Sequence, residues 1–214
     1  GDVDPAPHKA GDFDLFKDGD KAYIVFENPH SEMILRELND DYTGLTDRYS
    51  SHLRLGLPPY TREAPAYFTH GGRKYVITSG TTGYYPNASI TYDITDLHGE
   101  WKEVRKTCRG DKNDNSFRAQ FSSIFKHPFI EDLYIALGDR WLTDTVEDLP
   151  DMNEVFKGFF GGDGIKLSAE EIRALSDQNT SEATYVWLPV RFDEDGNPYI
   201  SWTRVWTAEE FIKR

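Results

Sequence analysis

A chain of 214 residues is long enough to bury a full hydrophobic core, as one domain or two. Its net charge of −13 argues against nucleic-acid binding, which needs clustered Lys and Arg, and fits a soluble protein that handles neutral substrates. A single cysteine, Cys108, excludes an internal disulfide and disfavours a cysteine-based metal site, while no apolar run reaches membrane-spanning length.

Residues 1–11 are polar, contain proline and show no period, which predicts an irregular lead-in to one domain over 12–214. Segments 13–16 and 21–26 alternate as strands around a turn at 17–20, and 33–38 follows as a third. The pattern then repeats: 66–68, a glycine turn at 70–72, and strands at 74–78, 89–92 and 101–104. A third unit starts at 121–125 and continues at 132–137. It is interrupted over 142–181, then resumes at 184–190 and, after a turn at 193–197, at 199–202. Within the interruption, Ser168 followed by Glu171 is a capping box that predicts a short helix, with a flexible loop at 158–164 before it.

Equivalent tyrosines, Tyr23, Tyr75 and Tyr134, are 52 and 59 residues apart. A four-stranded unit repeating at about 40–60 residues predicts β-propeller blades. The expected fold is therefore all-β: a partial propeller of about three four-stranded antiparallel blades with a short helical insertion. Rings close with about 4–8 blades. Three leave two open edges, to be covered by a second copy or by further N-terminal blades.

Each unit carries a polar residue at the same place in its first strand: Asp14, Glu63 and Gln120, 49 and 57 residues apart. Innermost strands line a propeller's channel, so these side chains are expected to converge. Ala64 precedes Pro65 and is expected to be extended, with Glu63 at the mouth of the strand. Convergent carboxyl groups suit glycoside hydrolysis: one protonated acid serves the leaving oxygen and a second group orients water. A neighbouring carboxylate would raise the acid's pKa. The plainer reading makes Asp14 a strand-end cap, Glu63 a solvated glutamate and Gln120 a channel-lining amide. Thr81, Thr82 and Tyr84 lie in the loop after the Tyr75 strand, where they either touch substrate or close a turn. Trp141 is a sugar platform or a core residue. Asp139 and Arg140 suggest a buried ion pair bracing the blade.

No cofactor is expected, and the six histidines show no metal-ligand spacing. Residues 78–83 look like the phosphate loop of acyl-adenylating enzymes, but Asn87 stands where those loops have lysine after the proline. Residues 111–115 open like a calcium loop, yet Ser116 and Ser122 occupy the positions that need glycine and glutamate.

Taken together, several motifs resemble the five-bladed β-propeller glycoside hydrolases of family 43, most of all the branch with the exo-β-1,3-galactanases. They are Arg62-Glu63-Ala64-Pro65-Ala66, the run from Thr78 to Asn87, Phe117-Arg118-Ala119-Gln120, Gly138-Asp139-Arg140-Trp141, Tyr185-Val186-Trp187-Leu188-Pro189 and Phe192-Asp193-Glu194-Asp195-Gly196. The resemblance covers most of 12–206 and makes the chain look like three C-terminal blades. It implies Glu63 as general acid, Asp14 as the carboxylate that tunes it and holds the sugar, and Gln120 in place of the usual base, with the family's base aspartate in a blade outside this sequence. Thr81, Thr82, Tyr84, Asn87, Arg140 and Trp141 are the expected sugar contacts. The implied activity is inverting release of terminal, β-linked galactose from plant-type polysaccharide by a secreted or periplasmic enzyme. The competing reading is a sugar-binding or structural propeller portion with no catalysis.

Overall fold

Glycine turns set the register of the strands. In the computed structural model, which describes residues 5–54, 61–142, 150–176 and 179–212, strand β5 (Arg62–His70) returns as β6 (Arg73–Gly80) through Gly71 and Gly72. Both glycines have positive φ (+58° and +78°), as a tight two-residue hairpin requires. The first blade is a meander of β1 (Phe13–Asp18), β2 (Lys21–Asn28), β3 (Glu32–Leu38) and β4 (Leu45–His52). The second runs β5, β6, β7 (Ile90–Asp93), β8 (Lys102–Lys106). The third is β10 (Gln120–Lys126), β11 (Tyr134–Arg140), β12 (Thr184–Phe192) and β13 (Pro198–Ser201). Strand pairing within each blade is antiparallel.

Two strands were not expected from the sequence. β4 is polar on most of its length and lacks the alternation that marks its neighbours. β9 (Cys108–Arg109) leaves the second blade and pairs in parallel with β13, hooking the second blade onto the outer edge of the third. Such a two-residue strand carries no sequence period.

Blades stack face to face. Phe16, Val25, Met33 and Leu35 of the first blade pack on Val76, Tyr92 and Trp101 of the second. Ala66, Phe68, Tyr75 and Ile77 pack in turn on Phe121, Ile124, Leu188 and Val190 of the third. β5 lies beside both β1 and β10, which brings the starts of three innermost strands together. Residues 5–11 of the lead-in form no helix or strand, but the Arg36 guanidinium holds them by donating to the carbonyls of Pro5 (3.0 Å) and Ala6 (2.8 Å).

Among its described residues the insertion holds two helices, where one was expected. α2 (Ala169–Ser176) follows the Ser168–Glu171 capping box. α1 (Met152–Phe159) is capped by Asp151, whose side chain accepts from the Asn153 and Glu154 amides, and it enters the stretch expected to be loop. Met152 and Val155 bury against Tyr85 and Leu142, so the helix braces the loop that follows β6.

Candidate active site

Glu63 is placed by a bulge. The β5–β6 register slips between Glu63 and Ala66, and Ala64 sits at φ +48°, left-handed rather than extended as its position before proline suggested. Proline disfavours the right-handed helical region for the residue before it, and here the left-handed alternative is taken. Pro65 has no N–H to lose in a bulge, and bulges re-aim side chains beside functional sites. Arg62, fully buried, fastens the bulge by donating to Thr78 Oγ1 (3.0 Å), the Thr78 carbonyl (2.7 Å) and the Ala88 carbonyl (2.8 Å).

Gln120, the first residue of β10, meets Glu63 directly. Its Nε2 donates to Glu63 Oε1 (2.9 Å) and to Ser79 Oγ (2.8 Å). Both amide protons are therefore engaged, which leaves the Gln120 carbonyl oxygen as an acceptor. Glu63 has its pKa pushed up to about 8, first by burial and then by the negative charges of Glu27 and Asp12. The hydrogen bond from Gln120 and the charge of Arg62 act the other way. At neutral pH the Glu63 carboxyl keeps its proton.

The like charge expected from Asp14 comes from other residues. Asp14 turns toward the second blade, where its carboxylate accepts from the amides of Tyr67 (2.8 Å) and Leu15 (2.7 Å). It therefore ties two blades together rather than facing Glu63. Asp12, two residues earlier, accepts from the Ala64 amide (3.2 Å), next to the acid. Asp12 sits between the expected lead-in and the first expected strand, outside the strand alternation that singles out the other candidates. Glu27 is buried on β2 beside Gly11; a Cβ there would collide with its carboxylate.

The expected sugar contacts divide into two groups. Asn87 is buried, accepting from the Gly80 amide (2.6 Å) and donating to the Gly80 carbonyl (2.9 Å) and Thr82 Oγ1 (2.8 Å). Thr82 Oγ1 donates to the Tyr85 carbonyl, and Thr81 Oγ1 to that of Thr61. At 4% and 1% exposure, Thr81 and Thr82 close the loop instead of facing solvent. Ser116, which the sequence marked only as a departure from a calcium loop, joins this scaffold by donating to the Asn87 carbonyl (2.7 Å). Tyr84 and Trp141 instead form an aromatic pair, ring centroids 5.3 Å apart, at a cleft that also includes Gln120, Ser79 and Asp139.

The ion pair expected between Asp139 and Arg140 does not form among the described residues. Neighbours on β11, they project to opposite faces. Asp139 lies across the ladder from Gln120 with its pKa raised, mainly by burial. Arg140 extends over Trp202 at 5.6 Å. Burial also raises the Cys108 thiol well above its usual range, which fits an inert thiol. Among the described residues no His, Cys, Asp and Glu cluster has the geometry of a metal site.

No protein-family model and no curated protein sequence matches the chain. Solved structures do. A family 43 β-1,3-galactosidase determined with galactodeoxynojirimycin is 28% identical over 92% of this chain and 46% of its own, with a TM-score of 0.66. An exo-β-1,3-galactanase from Clostridium thermocellum is 26% identical over 89% of this chain and 34% of its own, with a TM-score of 0.60. Another family 43 β-1,3-galactosidase shares the fold at 24% identity, with a TM-score of 0.73, over 97% of this chain and 36% of its own. The chain thus spans less than half the length of each. With three propeller blades, the Arg62–Ala66 bulge and these structural relatives in hand, the chain is similar to the glycoside hydrolases of family 43, on the side of the exo-β-1,3-galactanases.

Proposed function

We propose that the chain carries the general-acid half of a glycoside hydrolase that releases terminal β-linked galactose from polysaccharide ends, with inversion, outside the cytoplasm. The observation that carries this reading is Glu63: a carboxyl half-buried at the start of an innermost strand, still protonated at neutral pH, with one oxygen held by Gln120. With Oε1 accepting from Gln120, the proton resides on Oε2 and is free to pass to a glycosidic oxygen as the bond to the anomeric carbon breaks. A pKa near the working pH suits proton transfer in both directions.

Inversion needs a water on the opposite face of the sugar, with the acid and the water-positioning group about 6.5–9.5 Å apart. Gln120 touches Glu63 at 2.9 Å, so it takes that role only once a sugar enters and parts them. Tyr84, half-exposed, and Trp141 offer the apolar surface on which a sugar ring lies. Phe13 and Leu15 of β1, and Tyr185 and Trp187 of β12, are exposed on the outward faces of the first and third blades, where further blades would pack.

The competing role, sugar binding without catalysis, keeps the aromatic pair but gives no use to a protonated, half-buried glutamate. Proton NMR of the protein with β-1,3-galactotriose separates them. Free galactose, α-anomer first, is the expected result. Binding without release would assign the chain to recognition alone, and β-anomer first would contradict inversion.

A further inference from the structure

Sharing Arg118 with the cleft of Gln120, Tyr84 and Trp141 is a second, more open one, whose walls also include Phe117, Arg140, Trp202 and Asp111. We propose that it binds the carboxylate of a hexuronate unit carried by the substrate beside the terminal sugar. Its placement rests on the hydrolase reading; the binding itself does not.

Two guanidinium groups face this cleft in a chain of net charge −13. Arg140 is held below its ordinary range by burial and then by the positive charge of Arg118, so the two repel each other. Among the described residues no carboxylate pairs with Arg140, and its Nε has no hydrogen-bond partner. An anion between the two would relieve both conditions. The acid in the wall is already engaged: Asp111 Oδ2 accepts from the amides of Asn115 (2.8 Å) and Ser116 (2.6 Å). Planar guanidinium forks suit a carboxylate's two oxygens.

The walls also suit a sugar ring. Trp202 is 48% exposed and stands against Phe117, centroids 5.8 Å apart, with the Arg140 guanidinium above it. A pyranose can lay its apolar face on the indole while its carboxylate reaches the arginines.

Backbone strain points the same way. Ser116, Phe117 and Arg118 are consecutive non-glycine residues at φ +53°, +57° and +61°. Such conformations persist where the surroundings over-determine them, and they cluster at ligand sites. Here the Asp111 carboxylate and the Asn115 side chain, which accepts from the Arg118 amide (3.2 Å), hold them. The turn sends Arg118 into the wall shared by both clefts, for it also lines the one with Gln120, Tyr84 and Trp141. A uronate held there would adjoin a sugar lying on Tyr84 and Trp141.

The test is a calorimetric titration of the protein with methyl β-glucuronide, methyl β-galactoside and sodium acetate at low salt. The uronide is expected to bind about tenfold more tightly than either, one charge-assisted bidentate contact beyond the neutral sugar. Arg140→Gln should abolish the preference and Arg140→Lys should keep part of it. If Arg140→Gln does not fold, the unaltered protein decides by salt: the uronide's excess should shrink between about 20 mM and 0.5 M salt as the charges are screened. Equal affinity for uronide and galactoside, a uronide no tighter than acetate, a preference that survives Arg140→Gln, or one indifferent to salt would each overturn the proposal. The titration involves no turnover, so failure to hydrolyse galactan would sink the hydrolase reading and leave this result standing.

Discussion

Replacing Glu63 with glutamine should change how stability depends on pH, whatever the substrate. Folding raises the Glu63 pKa from the ordinary 4.5 to about 8. The folded chain therefore holds a proton that the unfolded chain releases. The associated stability is complete below pH 4.5 or so and is lost as pH rises through about 8. At about 1.4 kcal/mol per unit, a displacement of this size corresponds to about 5 kcal/mol. Water entry and relaxation around an ionised Glu63 should reduce the measured part to about 2–4 kcal/mol. Urea unfolding of the parent and of Glu63→Gln at pH 5 and pH 9.5 reads this out, provided the slopes with denaturant agree. The parent should lose about 2–4 kcal/mol more than Glu63→Gln between the two conditions. Parallel losses would mean that Glu63 ionises normally in the fold, and the reasoning that makes it a proton donor would fail.

Other perturbations separate the neighbours. Asp12→Asn removes a charge that raises Glu63, so the alkaline limb of kcat/KM should move to lower pH, while Asp14→Asn should leave that limb in place and cost about 1 kcal/mol of unfolding free energy through its lost amide contacts. Asn87→Ala strips three hydrogen bonds from a buried loop and orphans the Gly80 amide, so thermal unfolding should show a loss of about 2–4 kcal/mol. Trp141→Ala should raise KM for galactotriose about three- to tenfold with kcat little changed, the scale of one aromatic contact, as steady-state kinetics would show. A crystal structure with bound galactose should show Gln120 parted from Glu63; the 2.9 Å contact intact with sugar in place would exclude Gln120 as the water-positioning group.

Much of the fold was legible because blade strands alternate and their tyrosines recur. Tyr23, Tyr75 and Tyr134 do occupy the second strand of each blade. β4 and β9 escaped because one is mostly polar and the other too short to have a period. Glu63 and Gln120 could be paired from their positions in the repeat, and the structure brings them into contact. Equivalent position did not settle which way a side chain turns. Asp14 follows strand alternation onto the face toward the second blade, whereas Asp12 reaches the acid from just before the strand begins. The motif around Thr78–Asn87 was visible, but its polar side chains satisfy the loop's own backbone, which only the hydrogen bonds reveal.

The central claim is that Glu63 gives its proton to the leaving group. Steady-state hydrolysis of β-1,3-galactobiose and of an aryl β-galactoside, by the parent and by Glu63→Gln, tests it most directly. The disaccharide's alcohol needs the proton and should lose on the order of 10²–10⁴-fold in kcat/KM, whereas the aryl leaving group needs little help and should lose far less. Equal, small losses on both substrates would contradict the assignment.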